Sequence, residues 1–225
     1  VRSCEIEWCG DRLALLAERA VWWAARETLI VADLHLGKPE HFRLFGAPVP
    51  EEVTRSDLAR VSGLIEEFGP RRVVILGDLL HSRVAQGATV GALRRWRQSH
   101  AGVAVELVRG NHDRKAGDPP GEVGIVCLDG PVRDGALWLA HEPPDEPPGP
   151  TLAAHVHPAV RMSGRGARGS MRAPCFWVRK SLLVLPAFGA FTGCRTVRPR
   201  SGDRVFALGE GEIAEVGFSM RAGAR

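Results

Sequence analysis

The sequence predicts an α/β fold in which two packed β-sheets are covered by helices, a four-layer sandwich. The first half of the chain alternates apolar, strand-like runs with helical stretches. The second half carries mostly short strand-like runs joined by Gly and Pro turns. Neither half contains a segment long enough to be a linker between domains. With 225 residues, 44% of them hydrophobic, a single domain spanning 1–225 with a sizeable core is expected.

In chain order, the strand-like runs include Leu13–Ala17, Thr28–Ala32, Arg72–Leu76, Val103–Val108, Leu137–Ala140, Leu182–Leu185 and Val205–Leu208. Each is short and rich in aliphatic or β-branched residues. Two stretches have helical spacing. One starts after Pro50 and runs to about Phe68, with Val53, Leu58, Val61 and Ile65 on one face. The other runs from about Thr89 to His100, with Leu93 and Trp96 apolar among arginines. Pro143 to Pro150 reads as a proline-rich loop and Ser163 to Ser170 as a Gly/Arg-rich one. Adjacent Trp22 and Trp23 in a strand should split between core and solvent, and an exposed one would mark a dimer surface.

Composition narrows the setting. No run of eighteen apolar residues is present, which excludes a transmembrane helix. The opening residues, with Arg2, Cys4, Glu5 and Glu7, lack the basic start and apolar core of a signal peptide. The five cysteines, Cys4, Cys9, Cys127, Cys175 and Cys194, are odd in number and form no C-x-x-C pair. They read as reduced thiols, so a cytoplasmic location without membrane association is expected. The formal charge of +4 is carried almost wholly by arginine, the lysines being Lys38, Lys115 and Lys180. That balance fits a phosphate-rich partner without selecting one.

The histidines carry the chemistry. Of eight, six fall at the ends of strand-like runs: His35, His81, His112, His141, His155 and His157; only His41 and His100 do not. Strand ends in α/β folds are where sites assemble. Asp33-Leu34-His35 follows one run, Gly77-Asp78-Leu79-Leu80-His81 the next, and Gly110-Asn111-His112-Asp113 the third. His141 and His155-Val156-His157 follow later runs. In an extended D-x-H or H-x-H pair, residues two apart face the same side and can serve one metal cluster. Glycines before Asp78 and Asn111 let the chain leave its strand sharply. Imidazole, carboxylate and one amide oxygen, without thiolate, suit two divalent ions of the Mn²⁺, Fe or Zn²⁺ type. Such a pair, bridged by Asp78, would hold a hydroxide and clamp a phosphoryl group. His112 would protonate the leaving oxygen, with Asp113 orienting its ring. By average residue usage, Gly-Asn-His-Asp arises by chance with a probability on the order of one in a thousand in a chain this long.

These motifs resemble the calcineurin-like metallophosphoesterase superfamily, with its D-x-H, G-D-x-x-[DH], G-N-H-[DE], lone His and G-H-x-H. The resemblance spans Asp33 to His157 and implies an αββα sandwich of two mixed sheets flanked by helices. It implies that Asp33, His35, Asp78 and His157 bind one metal, and that Asp78, Asn111, His141 and His155 bind the other. Ala154 stands where glycine is usual, so slight strain is expected there. The stretches Val31-Ala-Asp-Leu-His-Leu-Gly-Lys38, Phe42 through Gly46-Ala-Pro-Val-Pro50, Leu139-Ala-His-Glu-Pro143 and Leu185-Pro-Ala-Phe-Gly-Ala-Phe-Thr-Gly193 are similar to the PdeM-type, ligase-associated DNA damage response endonucleases. That likeness implies a manganese-dependent nuclease acting on DNA with single-stranded character, working beside a DNA ligase and a helicase. His81 matches a histidine in the SbcD-type nucleases and is a candidate phosphate contact.

Arg43, Arg83 and Arg109 lie near the motifs as candidate phosphate contacts, and Phe42, Phe188 and Phe191 as candidate stacking platforms. Two other functions share the metal motif: a phosphodiesterase or phosphatase for a cyclic nucleotide or dinucleotide, and a non-catalytic repair scaffold. A deep enclosed pocket would favour the small molecule and an open basic groove would favour DNA.

Overall fold

The computed structural model describes residues 2–47, 49, 52–82, 86–162 and 170–217. Its strands are β1 (Ser3–Trp8), β2 (Asp11–Leu16), β3 (Ala20–Trp23), β4 (Thr28–Ala32), β5 (Arg72–Leu76), β6 (Ala104–Val108), β7 (Val126–Leu128) and β8 (Val132–Asp134) in the first part of the chain. They continue with β9 (Leu137–Leu139), β10 (Thr151–Ala153), β11 (Pro158–Met162), β12 (Met171–Val178), β13 (Leu182–Val184), β14 (Arg195–Thr196), β15 (Arg204–Gly209) and β16 (Glu212–Glu215). The helices are α1 (Lys38–Leu44), α2 (Val53–Phe68), α3 (Gln86–Ser99) and α4 (Asn111–Ala116).

The strands form two mixed sheets. The first has the order β1-β2-β3-β4-β5-β6-β7, antiparallel through β4 and parallel from β4 to β7. The second has the order β14-β11-β12-β13-β10-β9-β8, with β15 and β16 joined at β12. Within it β9, β10 and β13 run parallel. Parallel strands put their C-terminal ends on one edge, so loops after β4, β5 and β6 share an edge, as do those after β9, β10 and β13.

Side-chain alternation decides the layers. In β4, Ile30 and Ala32 join the core between the sheets, while Leu29 and Val31 face the helices. In β12, Phe176 and Val178 point to the same inter-sheet core, and Cys175 points to the far side. Each fully buried aliphatic side chain is worth about 1.5–3 kcal/mol. α2 lays Leu58, Val61, Leu64 and Ile65 against the first sheet, and α3 adds Leu93 and Trp96. Both follow the spacing read from the sequence. Among the described residues the α-helices fall between β4 and β7, and α2 and α3 cover the first sheet. The outer face of the second sheet carries smaller apolar clusters, centred on Cys175 and Val205 and on Ala153 and Val184. At the edge away from the strand ends just described, Asp134 of β8 pairs with Arg26 and Arg72 and ties the sheets together.

Trp22 and Trp23 face opposite sides of β3, but neither lies open to solvent, so the exposed tryptophan expected to mark a dimer surface is not found. Trp23 is buried between the sheets, its Nε1 donating to Asp11 Oδ1 at 3.0 Å, and Trp22 packs on Phe68. All five cysteines are free thiols. No helix among the described residues is long and apolar enough to cross a membrane.

Candidate metal centre

The strand-end histidines and acids converge where the two sheets meet. Residues after β4 and β5 run side by side: Asp33 N donates to Gly77 O at 3.1 Å, His35 N to Asp78 O at 2.8 Å, and His81 N to Leu36 O at 3.0 Å. The loop after β13 closes on them from the second sheet, with Gly189 N donating to Asp33 O at 3.2 Å.

The D-x-H and H-x-H pairs are not extended. Asp33, His35, Asp78, His155 and His157 all have positive φ, between 47° and 64°. They are five of the nine non-glycine residues with positive φ among the described residues. Such backbone costs on the order of 1–3 kcal/mol per residue and persists only where its surroundings hold it. Equal facing of an extended pair is therefore corrected: kinked backbone, fixed by the hydrogen bonds above, aims these side chains. Ala154, by contrast, is absent from the positive-φ set and buried in the inter-sheet core, so the strain expected there does not arise.

Where the donor loops cross, glycine is required at Gly77 and Gly110. Gly77 has φ of 71°, and a Cβ there would lie 2.2 Å from His141 Nδ1. Gly110 has extended backbone, and its constraint is proximity: a Cβ would lie 2.2 Å from Asp78 Oδ1. Both glycines thus let one donor loop pass directly over another.

Two donor groups result, Asp33 with His35 and His157, and Asp78 with His141 and His155. In each, the donor atoms lie within 4.8 Å of one another. Asp78 reaches into both. Its Oδ2 is 3.6 Å from His35 Nε2, and its Oδ1 is 3.5 Å from His141 Nε2. Asn111 joins the second group, with Oδ1 3.1 Å from His141 Nε2.

The donor chemistry fits cations. His141 Nδ1 faces the Leu76 carbonyl at 3.0 Å, which can only accept, so Nδ1 carries the proton. His141 Nε2 then faces Asp78 Oδ1, Asn111 Oδ1 and, at 3.1 Å, His155 Nδ1. Two oxygen acceptors and two imidazole nitrogens gathered this closely form a donor set that suits a cation. In the other group, Asp33 Oδ1, both ring nitrogens of His35 and His157 Nε2 are buried without a hydrogen-bond partner. Burial, then the nearby His157, His112, Lys38 and His81, push His35 down to about 2, so it stays a neutral imidazole with a lone pair to give. Burial alone would depress His157, but the Asp33 carboxylate 3.3 Å away raises it above its ordinary value. A metal ion on that nitrogen answers the same carboxylate as a proton does. His157 Nδ1 is held by Gly193 O at 3.0 Å.

His112 lies beside this centre, its ring centroid 4.9 Å from that of His35. The partner of its Nδ1 is the His81 carbonyl at 3.2 Å. Asp113 therefore does not orient that ring, which corrects the sequence expectation. Its buried carboxylate accepts from four backbone N–H groups, those of Asp78 (2.7 Å), Gly110 (2.8 Å), Leu79 (3.0 Å) and Leu80 (3.2 Å). Short polar side chains near a helix start serve orphan N–H groups in this way; here the bonds also clamp the Asp78 loop to α4. Asp113→Ala is expected to cost about 3 kcal/mol or more of stability, at roughly 1–3 kcal/mol per orphaned buried donor. A denaturation midpoint equal to the parent's would remove Asp113 from this role.

His81 stacks on His112 with centroids 5.0 Å apart, and burial followed by the His112 and Lys38 charges pushes it down to about 4. His100 sits elsewhere, bonded to Ser62 at 2.8 Å between α2 and α3. The arginine expectations fare differently. Arg109 is paired with Asp118 at 2.7 and 2.8 Å and with Asp129 at 3.1 Å, and it lines a cavity of about 210 Å³ beside His141. Arg43 bonds Val49 O at 3.2 Å and lines a cavity of about 410 Å³ with Glu40, Glu52, Thr54 and Arg55, a cavity that none of the donor residues lines. Arg83 lies outside the described residues, as do residues 163–169 of the Gly/Arg-rich loop. Phe188 is fully buried beneath Arg60 and is core, not a platform. Phe42 and Phe191 are exposed with rings 5.6 Å apart, and Phe45, which the sequence reading passed over, is 77% exposed.

No protein-family model matches the chain, and neither does any curated protein. Among solved structures, the crystal structure of Pseudomonas putida nuclease MPE is 38% identical, with a TM-score of 0.83 over 95% of this chain and 100% of that one. An E. coli phosphoesterase, Yfce, is 17% identical over 84% of this chain and 97% of its own, with a TM-score of 0.42, too weak a likeness to bear on the site. The extent of the first match, over a donor set gathered from both sheets, places the chain in the metallophosphoesterase superfamily, in the family of that nuclease.

Proposed function

We propose that the chain is a two-metal phosphodiesterase that cleaves DNA of single-stranded character with Mn²⁺, in DNA repair. The observation that carries this reading is the position of Asp78, one carboxylate oxygen toward each donor group. Asp33, His35 and His157 would hold one ion, and Asn111, His141 and His155 the other, with Asp78 spanning both. Bound there, the ions supply Lewis-acid chemistry: they acidify water and neutralise charge on the phosphoryl oxygens.

The chain's own residues do the rest. The Leu76 and Gly193 carbonyls fix His141 and His157 in the tautomer that presents Nε2. The His81 carbonyl fixes His112 in the same way, leaving His112 Nε2, in the imidazolium form, to give its proton to the departing oxygen. The neutral His81 ring offers a hydrogen bond to a phosphoryl oxygen.

Three features support a nucleic acid. The 38%-identical relative is a nuclease. His155 is exposed, so the centre opens to solvent on one side. Phe42, Phe45 and Phe191 offer exposed faces on which unpaired bases stack. The resemblance to the ligase-associated endonucleases extends the reading to a repair setting with a DNA ligase and a helicase, in the cytoplasm.

Metal-stripped protein refilled with Mn²⁺ tests the reading on labelled single-stranded DNA, the matching duplex and an aryl phosphodiester. Single strand and aryl ester are expected to be hydrolysed only after refilling, and the duplex more slowly. Hydrolysis of the aryl ester alone would overturn the substrate and point to a small nucleotide diester.

A further inference from the structure

Arg109 is shared with two carboxylates and Arg43 lines a cavity that none of the donors lines, so a polyanion at the centre calls for a further source of positive charge. α1 supplies one. Lys38 and His41 are three residues apart and so share a face of this helix. The first turn is pinned to the metal centre by Lys38 N donating to His35 O at 3.1 Å. On the same face, His41 Nδ1 lies 3.3 Å from the Ser82 hydroxyl, and its ring is 5.3 Å from that of His81. His81 in turn stacks on His112. A continuous wall of donors therefore leads from the expected general acid to the surface of α1.

Lys38 has no carboxylate partner among the described residues. Its nearest acidic neighbour in sequence, Glu40, is engaged by the Thr54 hydroxyl at 3.1 and 3.2 Å. The lysine is half-buried, on the helix face that His41 turns toward His81. A half-buried ammonium without a counter-charge loses hydration that an anion would restore.

We propose that Lys38 and His41, with the Ser82 hydroxyl, form a second phosphate subsite, which holds the phosphodiester next to the scissile one. The subsite rests on the DNA reading above and gives it a physical basis for preferring a polymer, because a diester with a single phosphate cannot fill both positions. The neighbouring aromatics, Phe42 and Phe45, then receive the base attached to the held phosphate.

Oligonucleotides with a single cleavable linkage test this, the flanking linkage on either side being an ordinary phosphodiester or an uncharged methylphosphonate. The Mn²⁺-loaded parent protein is expected to lose about tenfold or more in kcat/KM when the flanking charge on one side is removed, a factor of ten being about 1.4 kcal/mol. In Lys38→Met and in His41→Ala the ratio between charged and uncharged substrates should fall toward one. Both variants are read as ratios on folded, metal-loaded protein, so a general loss of activity does not imitate the result. A parent protein indifferent to the flanking charge, or variants that keep the parent's ratio, would overturn the subsite while leaving DNA cleavage intact. A parent protein that hydrolyses the aryl ester but no oligonucleotide would overturn the substrate reading and the subsite together.

Discussion

Asp78→Ala is expected to abolish hydrolysis of DNA and of an aryl phosphodiester together. The reason is geometric: one carboxylate faces both donor groups, its Oδ2 toward His35 and its Oδ1 toward His141, while Oδ1 also accepts from His112 N at 2.9 Å. Removing it leaves Asp33 as the sole carboxylate of the two groups, with His35, His141, His155 and His157 all neutral ligands when deprotonated. Several kcal/mol of charge stabilisation depart with the ions, a rate loss of roughly a thousandfold or more. Metal analysis should find fewer than two ions per chain. The upward shift in thermal midpoint that Mn²⁺ gives the parent protein should largely vanish, since that shift measures binding to the folded state. A variant retaining two ions and the parent's rate would show that Asp78 is not the shared ligand, and the two-metal reading would fail.

Much of this site was legible because its chemistry is local to strand ends. Asp33, Asp78, Asn111, His141, His155 and His157 each follow an apolar run, and parallel pairing within each sheet brings those ends together. The register that aligns Ala32 with Leu76, and Leu76 with Val108, is what sets three motifs side by side. Helices α2 and α3 were legible for a related reason, since sixteen and fourteen residues give periodicity room to show. α1 and α4, at seven and six residues, do not. β1 alternates Glu5, Ile6, Glu7 and Trp8 between solvent and core, but its charged positions hide a strand among polar residues.

What escaped the sequence has a common physical cause. Second partners of the site are backbone atoms: Leu76 O behind His141, Gly193 O behind His157 and His81 O behind His112. Any residue type carries a carbonyl, so no composition signal marks these. Asp113 was noticed for its proximity to His112, yet the fold spends its carboxylate on four N–H groups of the Asp78 and Gly110 loops. Surface arginines were the least legible. A guanidinium reaches far enough to choose among carboxylates distant in sequence, as Arg109 does with Asp118 and Asp129. Backbone strain was invisible too, although it accumulates at five donor positions, where αL geometry is tolerated by Asp and His and stabilised by the cross-strand bonds that position them.

His112→Ala separates the two roles that the histidine cluster permits. As a general acid, His112 should be worth about 10²–10⁴ in turnover, the range for a positioned proton donor. The loss should depend on the leaving group. A nitrophenolate departs readily without a proton, whereas a deoxyribose alkoxide does not, so DNA cleavage is expected to fall much further than hydrolysis of the aryl ester. Both ions should remain, because neither group that shares Asp78 includes His112. The alternative is written into the same geometry: His35, His81 and His112 also bring donor nitrogens within 4.8 Å of one another. If His112 served as a ligand there, its loss would lower metal content and depress both substrates by the same factor. Equal losses with missing metal would therefore reassign His112 from proton donor to ligand. A selective loss on DNA, with the ions in place, is the outcome required by a ring whose Nδ1 is already committed to the His81 carbonyl and whose other nitrogen is left for the reaction.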